Sequence, residues 1–205
     1  MKDSKLSRAL TWIIDIIFSG VLWCLFSLPV VTAGAASCAL YYAAVKCIRR
    51  ERGRLWPVFW KGFRDNFGCG TKMWLLYLAA FAVAAANILA AGQWSGEGFS
   101  PLTALGGVIL LPAVLTLPWM FAYLSRFENT LRGSLKFVGF LTVRHLGRSL
   151  LLAAELLGAL AIAWLIPQLA PLLPGAIALL MSFTIEPAFR PYTADAEAED
   201  PWFNE

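Results

Sequence analysis

The sequence predicts an all-α, polytopic transmembrane helical bundle. Three observations carry that prediction. Of 205 residues, 59% are hydrophobic and only 15% are charged, with a mean hydropathy of +0.66. A soluble domain has about 25% charged residues, so polar material is too scarce here to clothe a water-exposed surface. Apolar runs of bilayer-crossing length recur along the chain. The cations fall in blocks between those runs.

The first run, residues 9–28, has the roughly 20 residues that a helix rising 1.5 Å per residue needs to cross the hydrocarbon. No cleavage site follows it, so it is expected to stay as an anchor. The stretch FSLPVVTAGAASC then reads as a tight hairpin tip. Pro29 disfavours helix at Leu28, Thr32 suits the N-cap of the next helix, and Gly34 with the small residues after it lets that helix approach a neighbour closely. A ligand site on this turn is the lesser alternative. The second run is 33–48.

A basic connector, residues 46–72, follows. In LWPVFWKGFRDNFG, Trp56, Phe59, Trp60, Phe63 and Phe67 recur at helical spacing, with Lys61, Arg64 and Asp65 on the other side. Pro57 fits a first helical turn. This is the pattern of an amphipathic helix lying in the cytoplasmic interface, either as plain anchoring or as a docking surface for a partner or anionic lipid. Runs 73–92 and 103–125 come next, the latter interrupted by Pro112 and Pro118. The second connector, 126–148, repeats the interfacial character in RFENTLRGSLKFV. Runs 149–166 and 172–187 complete six spans in three hairpins, the last being the least secure. Residues 1–190 read as one domain and 191–205 as an acidic tail.

Orientation follows from charge. All 17 lysines and arginines lie in the N-terminal segment, the two connectors or the tail. The connections 29–32, 93–102 and 167–171 have none. The positive-inside rule therefore predicts a multi-pass cell-membrane protein with both termini cytoplasmic.

Inside the spans, Asp15, Asn87 and Glu155 stand out because burying polar groups in hydrocarbon is costly. One reading has the carboxylates lining a substrate or proton path. The other pairs Asp15 with Arg8 and Glu155 with Arg148, or either with water. Asn87 is expected to bond across helices. Glu186 is expected to mark the cytoplasmic end of the last span.

Chemistry-bearing motifs are sparse. The sequence has no phosphate-binding G-x-x-x-x-G-K-[ST] loop, no H-E-x-x-H site and no G-x-S-x-G elbow. Cys24, Cys38, Cys47 and Cys69 form no C-x-x-C pair, and His145 is distant from all of them in sequence, so no metal or cofactor is expected. The cations are spread along the membrane edge without a recognition module, which argues against nucleic acid.

With the LPVVTAGAA turn, ALYYAAVKCIRRERG, FWKGFRDNF and FAYLSRFENTLRGSLKFV in view, the chain resembles the YesL family of small bacterial membrane proteins. The resemblance is densest from Ile13 to Phe67. It implies an association with sugar-uptake and polysaccharide-utilisation systems and transfers no catalytic residue. The functional expectation is a non-enzymatic accessory component, with a sugar-transporter permease as the implied partner besides the bilayer. The alternative is a small transporter or channel-like protein using Asp15, Asn87 and Glu155.

Overall fold

A computed structural model describes residues 5–94, 101–127 and 130–192. The acidic segment 193–205 and most of the 93–102 connection lie outside the described residues, as does the side chain of Arg8. Among the described residues there are seven α-helices and no strand. They are α1 (Lys5–Phe26), α2 (Ala33–Ala43), α3 (Leu55–Trp94), α4 (Pro101–Leu124), α5 (Leu131–Arg144), α6 (Leu146–Leu165) and α7 (Leu173–Phe189). Four stretches are long and apolar enough to cross a membrane: Val30–Arg49, Leu55–Ala90, Thr103–Leu124 and Leu146–Leu165. The chain is thus a membrane protein. The apolar part of α1, Leu10–Phe26, is shorter, and so is α7 with 17 residues.

The first hairpin forms where the sequence places it. Helix α1 stops near Pro29 and a 3-10 turn, Val30–Thr32, leads into α2. The expected Thr32 cap does not form. Thr32 already has helical backbone angles, φ −88° and ψ −5°, with no capping bond to its side chain. Because the 3-10 turn runs straight into α2, the hydroxyl turns back towards the carbonyls of Phe26 (2.6 Å) and Pro29 (2.8 Å). Trp23 Nε1 donating to Ser37 Oγ at 3.0 Å ties the two helices, and Trp12 Nε1 donating to Glu51 Oε1 at 3.1 Å ties α1 to the link that follows α2 and its extension.

Helix α2 is the hub of the bundle. It is buried along nearly its whole length, including Ala35, Ala36, Cys38, Ala39 and Ala43, and packs on α1, α3, α4 and α7. Small residues permit this. Gly34 lies against the carbonyl of Gly70 and the Cβ of Trp74, and a Cβ on Gly70 would sit 3.1 Å from Ala35 Cα. Past Ala43 the helix widens into a π-helical segment, Ala44–Arg49. The link to α3 needs left-handed backbone at Glu51 (φ 54°) and Gly53 (φ 83°), conformations that suit glycine and cost a side-chain-bearing residue energy.

The largest departure from expectation is α3. The interfacial helix 55–68 and the span 73–92 are one helix of 40 residues, about 60 Å long and twice the hydrocarbon thickness. Gly68 and Gly70 do not break it, since a helix tolerates each glycine at about 1 kcal/mol. Its first half packs antiparallel on α2, and its second half on α4. Tyr77 donates to Thr116 Oγ1 (2.9 Å), Trp74 packs on Phe121, and Gly106 meets Ala84 and Ile88. Trp74 Nε1 also donates to the Val30 carbonyl at 2.7 Å, so the first hairpin tip touches the start of the second apolar half of α3. The side-by-side arrangement of three hairpins puts those two points on opposite membrane faces. Here they are in contact, so the α1–α2 and α3–α4 hairpins are stacked along α3.

The C-terminal helices close the bundle. Trp119 Nε1 donates to Ser149 Oγ (3.0 Å), which donates in turn to the Thr142 carbonyl (3.0 Å), joining α4, α5 and α6. Helix α7 crosses α1 where Gly175 meets Ile16 and Ser19, and Gly20 meets Pro171.

Candidate functional site

The polar residues expected inside the spans are not assembled. Asp15 is half-buried on α1, which packs mainly on α2 and α7. Glu155 is half-buried on α6, which packs on α4, α5 and α7. Its Oε2 is buried without a hydrogen-bond partner. Asn87 does not bond across helices. Its Nδ2 donates to the Val83 carbonyl one turn back on its own helix, at 2.8 Å, where a local acceptor is always in reach.

The aromatic stripe of α3 divides in two. Phe59 is fully buried and Phe63 is 9% exposed, so neither belongs to an open docking surface. Both rings pack on Phe26 of α1, at centroid distances of 5.5 and 4.9 Å. The outer part is open: Trp56 is 49% exposed, Trp60 44% and Phe67 47%. Trp56 and Trp60 stack at 12° and 6.3 Å, and exposed Lys61 and Arg64 flank them. Pro29, Thr32 and Gly34 position the hairpin tip and its helix contact, an architectural role.

A buried polar cluster with no signature motif in the sequence joins α2, the π-helical segment, the turn that ends α4, and α7. Glu186 Oε2 accepts from Arg126 Nη1 at 2.7 Å, with the two side chains 8% and 5% exposed. Its other oxygen accepts from the Tyr41 hydroxyl at 3.0 Å. Arg49 donates to the Ser182 carbonyl at 2.6 Å and lies over the Phe183 ring. Lys46, only 6% exposed, donates to the Tyr42 hydroxyl at 3.1 Å. Glu186 therefore does not simply mark a membrane edge; it clamps three helices. Both carboxylate oxygens of Glu186 are hydrogen-bonded, as a carboxylate buried this deeply requires. The widened turn that carries Lys46 and Arg49 is a rare geometry, frequent at functional sites. The only sequence signals were an acid beside Pro187 in an apolar run and cations at the end of another. The chemistry on offer is binding and clamping. Among the described residues no group of three or more His, Cys, Asp or Glu side chains could hold a metal.

Residues 16–88 match the model of a family described as Protein of unknown function, DUF624. The matched stretch runs from α1 through the hairpin tip, α2 and the π-helical segment into the second half of α3. It includes Tyr41, Lys46, Arg49 and the aromatic stripe, but not Arg126 or Glu186. No curated protein and no solved structure matches the chain.

Proposed function

We propose that the protein is a non-enzymatic membrane component that docks a partner along the first half of α3. The observation that carries this reading is the open Trp56–Trp60–Phe67 strip. Helix α3 is too long to lie wholly in hydrocarbon. Its charged residues, Lys61, Arg64, Asp65 and Lys72, all fall in the first half, so that half is the part that emerges. Large aromatics left open there lose about 25 cal/mol per Å² of apolar surface not removed from water. A partner covering them recovers that energy, and the neighbouring cations favour an acidic rim on it. The YesL resemblance makes the permease of a sugar-uptake system the partner to test. The experiment is co-purification from native membranes with a Trp56→Ala/Trp60→Ala variant. Recovery of the permease should drop severalfold while the variant stays folded; unchanged recovery would remove the docking surface.

We read both termini as cytoplasmic. Three contacts support this in two groups, one joining α1 to the first connector and two joining the second connector to the C-terminal end of the chain's described part. Trp12 bonds Glu51 within the first connector, Arg126 bonds Glu186, and Tyr192 packs on Phe137 of α5. Reporter fusions at both ends test this.

A transporter is the second reading, favoured by the unpartnered Glu155 Oε2. Glu155→Gln should then change solute flux in proteoliposomes. Equal flux in both proteins would count against it.

A further inference from the structure

We infer that the outward face of α5, with its elbow to α6, is a docking surface for anionic phospholipid headgroups. Helix α5 has 14 residues, about 21 Å, which is short of a crossing. Six residues separate it from one candidate span that ends at Leu124, and its C-terminus is joined through His145 to another that starts at Leu146. A helix tied at both ends to spans in this way lies at the membrane surface.

The two sides of α5 differ in kind. Ser134, Val138, Leu141 and Thr142 are buried against the bundle. Arg132, Lys136 and Arg144 point outward, interleaved with Leu135 (39% exposed), Phe140 (49%) and Val143 (78%). Arg132, Lys136, Phe140 and Arg144 follow one another at intervals of four and so form a stripe along the helix. Arg148 adds a cation at the elbow. From Thr130 to Ala154 there are four cations and no acid. None of the four pairs with a described carboxylate. The Arg144 guanidinium is steadied over the rings of Phe140 and Tyr192, 5.7 Å from each centroid. Cations and apolar groups alternating on one exposed face match phosphate above and acyl chain below.

The chain contains one histidine, and it sits at this elbow, stacked on Trp119 at 6.3 Å. Burial, then Arg148 and Arg144, hold its pKa below the ordinary value. A bound headgroup offsets those cations, so His145 reports occupancy. Its pKa is to be measured by NMR titration in nanodiscs of phosphatidylcholine, with and without phosphatidylglycerol. A rise of about half a unit is expected on adding the anionic lipid. It should vanish in Arg132→Gln/Lys136→Gln and persist in Arg52→Gln/Arg54→Gln, a control on the other connector. An equal rise in all three proteins would mean a general surface potential and overturn the site, as would no rise in the wild type. A rise that appears only after residues 193–205 are deleted would overturn it too, making the chain's own acidic segment the occupant.

Discussion

Gly34→Ala places one methyl group where α2 and α3 meet. The added Cβ would run into the Gly70 carbonyl and the Trp74 Cβ. Both atoms are fixed to the α3 backbone, so neither can swing aside and the helices must part. Overpacking of this kind costs about 1–3 kcal/mol. Parting also strains the Trp74–Val30 bond (2.7 Å), which contributes about 1 kcal/mol. Against this, alanine is favoured over glycine in a helix by about 1 kcal/mol. The clash wins, and the net loss is about 1–3 kcal/mol. Gly68→Ala is the matched control, because nothing lies within 4 Å of its Cβ position; it should stabilise by up to about 1 kcal/mol. Reversible unfolding in mixed detergent micelles, followed by tryptophan fluorescence, measures both. If Gly34→Ala proves as stable as the wild type, or the two variants behave alike, the close helix contact is wrong.

Other outcomes follow from the same structure. Arg126→Gln leaves Glu186 buried without its cation and should lose about 3–5 kcal/mol in that unfolding assay, with Arg126→Met/Glu186→Met recovering much of it. A loss below 1 kcal/mol for the single change would show that the pair is not buried as described. Trp74→Phe removes one hydrogen bond to the hairpin tip and should cost about 1 kcal/mol. His145 resists protonation in the folded protein, so its contribution to stability is full above its ordinary pKa of about 6.5 and is lost as pH falls from there through the lower pKa of the folded state. Arg148→Gln should move the His145 pKa upward in an NMR titration; a downward shift would contradict the assigned cause.

Much of the helical pattern was legible because apolar run length and period report a helix directly. Runs 9–28, 33–48, 103–125 and 149–166 correspond closely to α1, α2 with its π-helical extension, α4 and α6. The continuity of α3 was not legible. Charges at Lys61, Arg64 and Lys72 suggested a boundary, yet charge says where a helix meets water and not where its backbone stops. Gly70 does not interrupt α3; its lack of a side chain lets Ala35 come close. The aromatic stripe was visible as a face. How far α1 wraps around that face, hiding Phe59 and Phe63 while leaving Trp60 open, depends on tertiary packing. The Glu186 clamp joins residues 60 and 145 apart in sequence, and no local period encodes such a meeting. Asn87 shows the converse error, since a polar side chain in a span satisfied itself on its own helix.

The end-to-end stacking of two hairpins on α3 makes a rod longer than any ordinary bilayer is thick. Fitting a rod of about 60 Å into a slab of about 30 Å by tilting alone needs a tilt near 60°, beyond the 0–40° that spanning helices adopt. Thickening the membrane costs a fraction of a kcal/mol for each ångström, which over this excess becomes prohibitive. The apolar α1 flank, with Leu10, Ile14, Ile17 and Leu25 exposed, lies beside the first half of that rod, the half proposed above to emerge. On that proposal bilayer thickness acts as a selector for this protein: in a thin membrane more of that flank is left bare, and the demand for a sheath of lipid or protein around it grows.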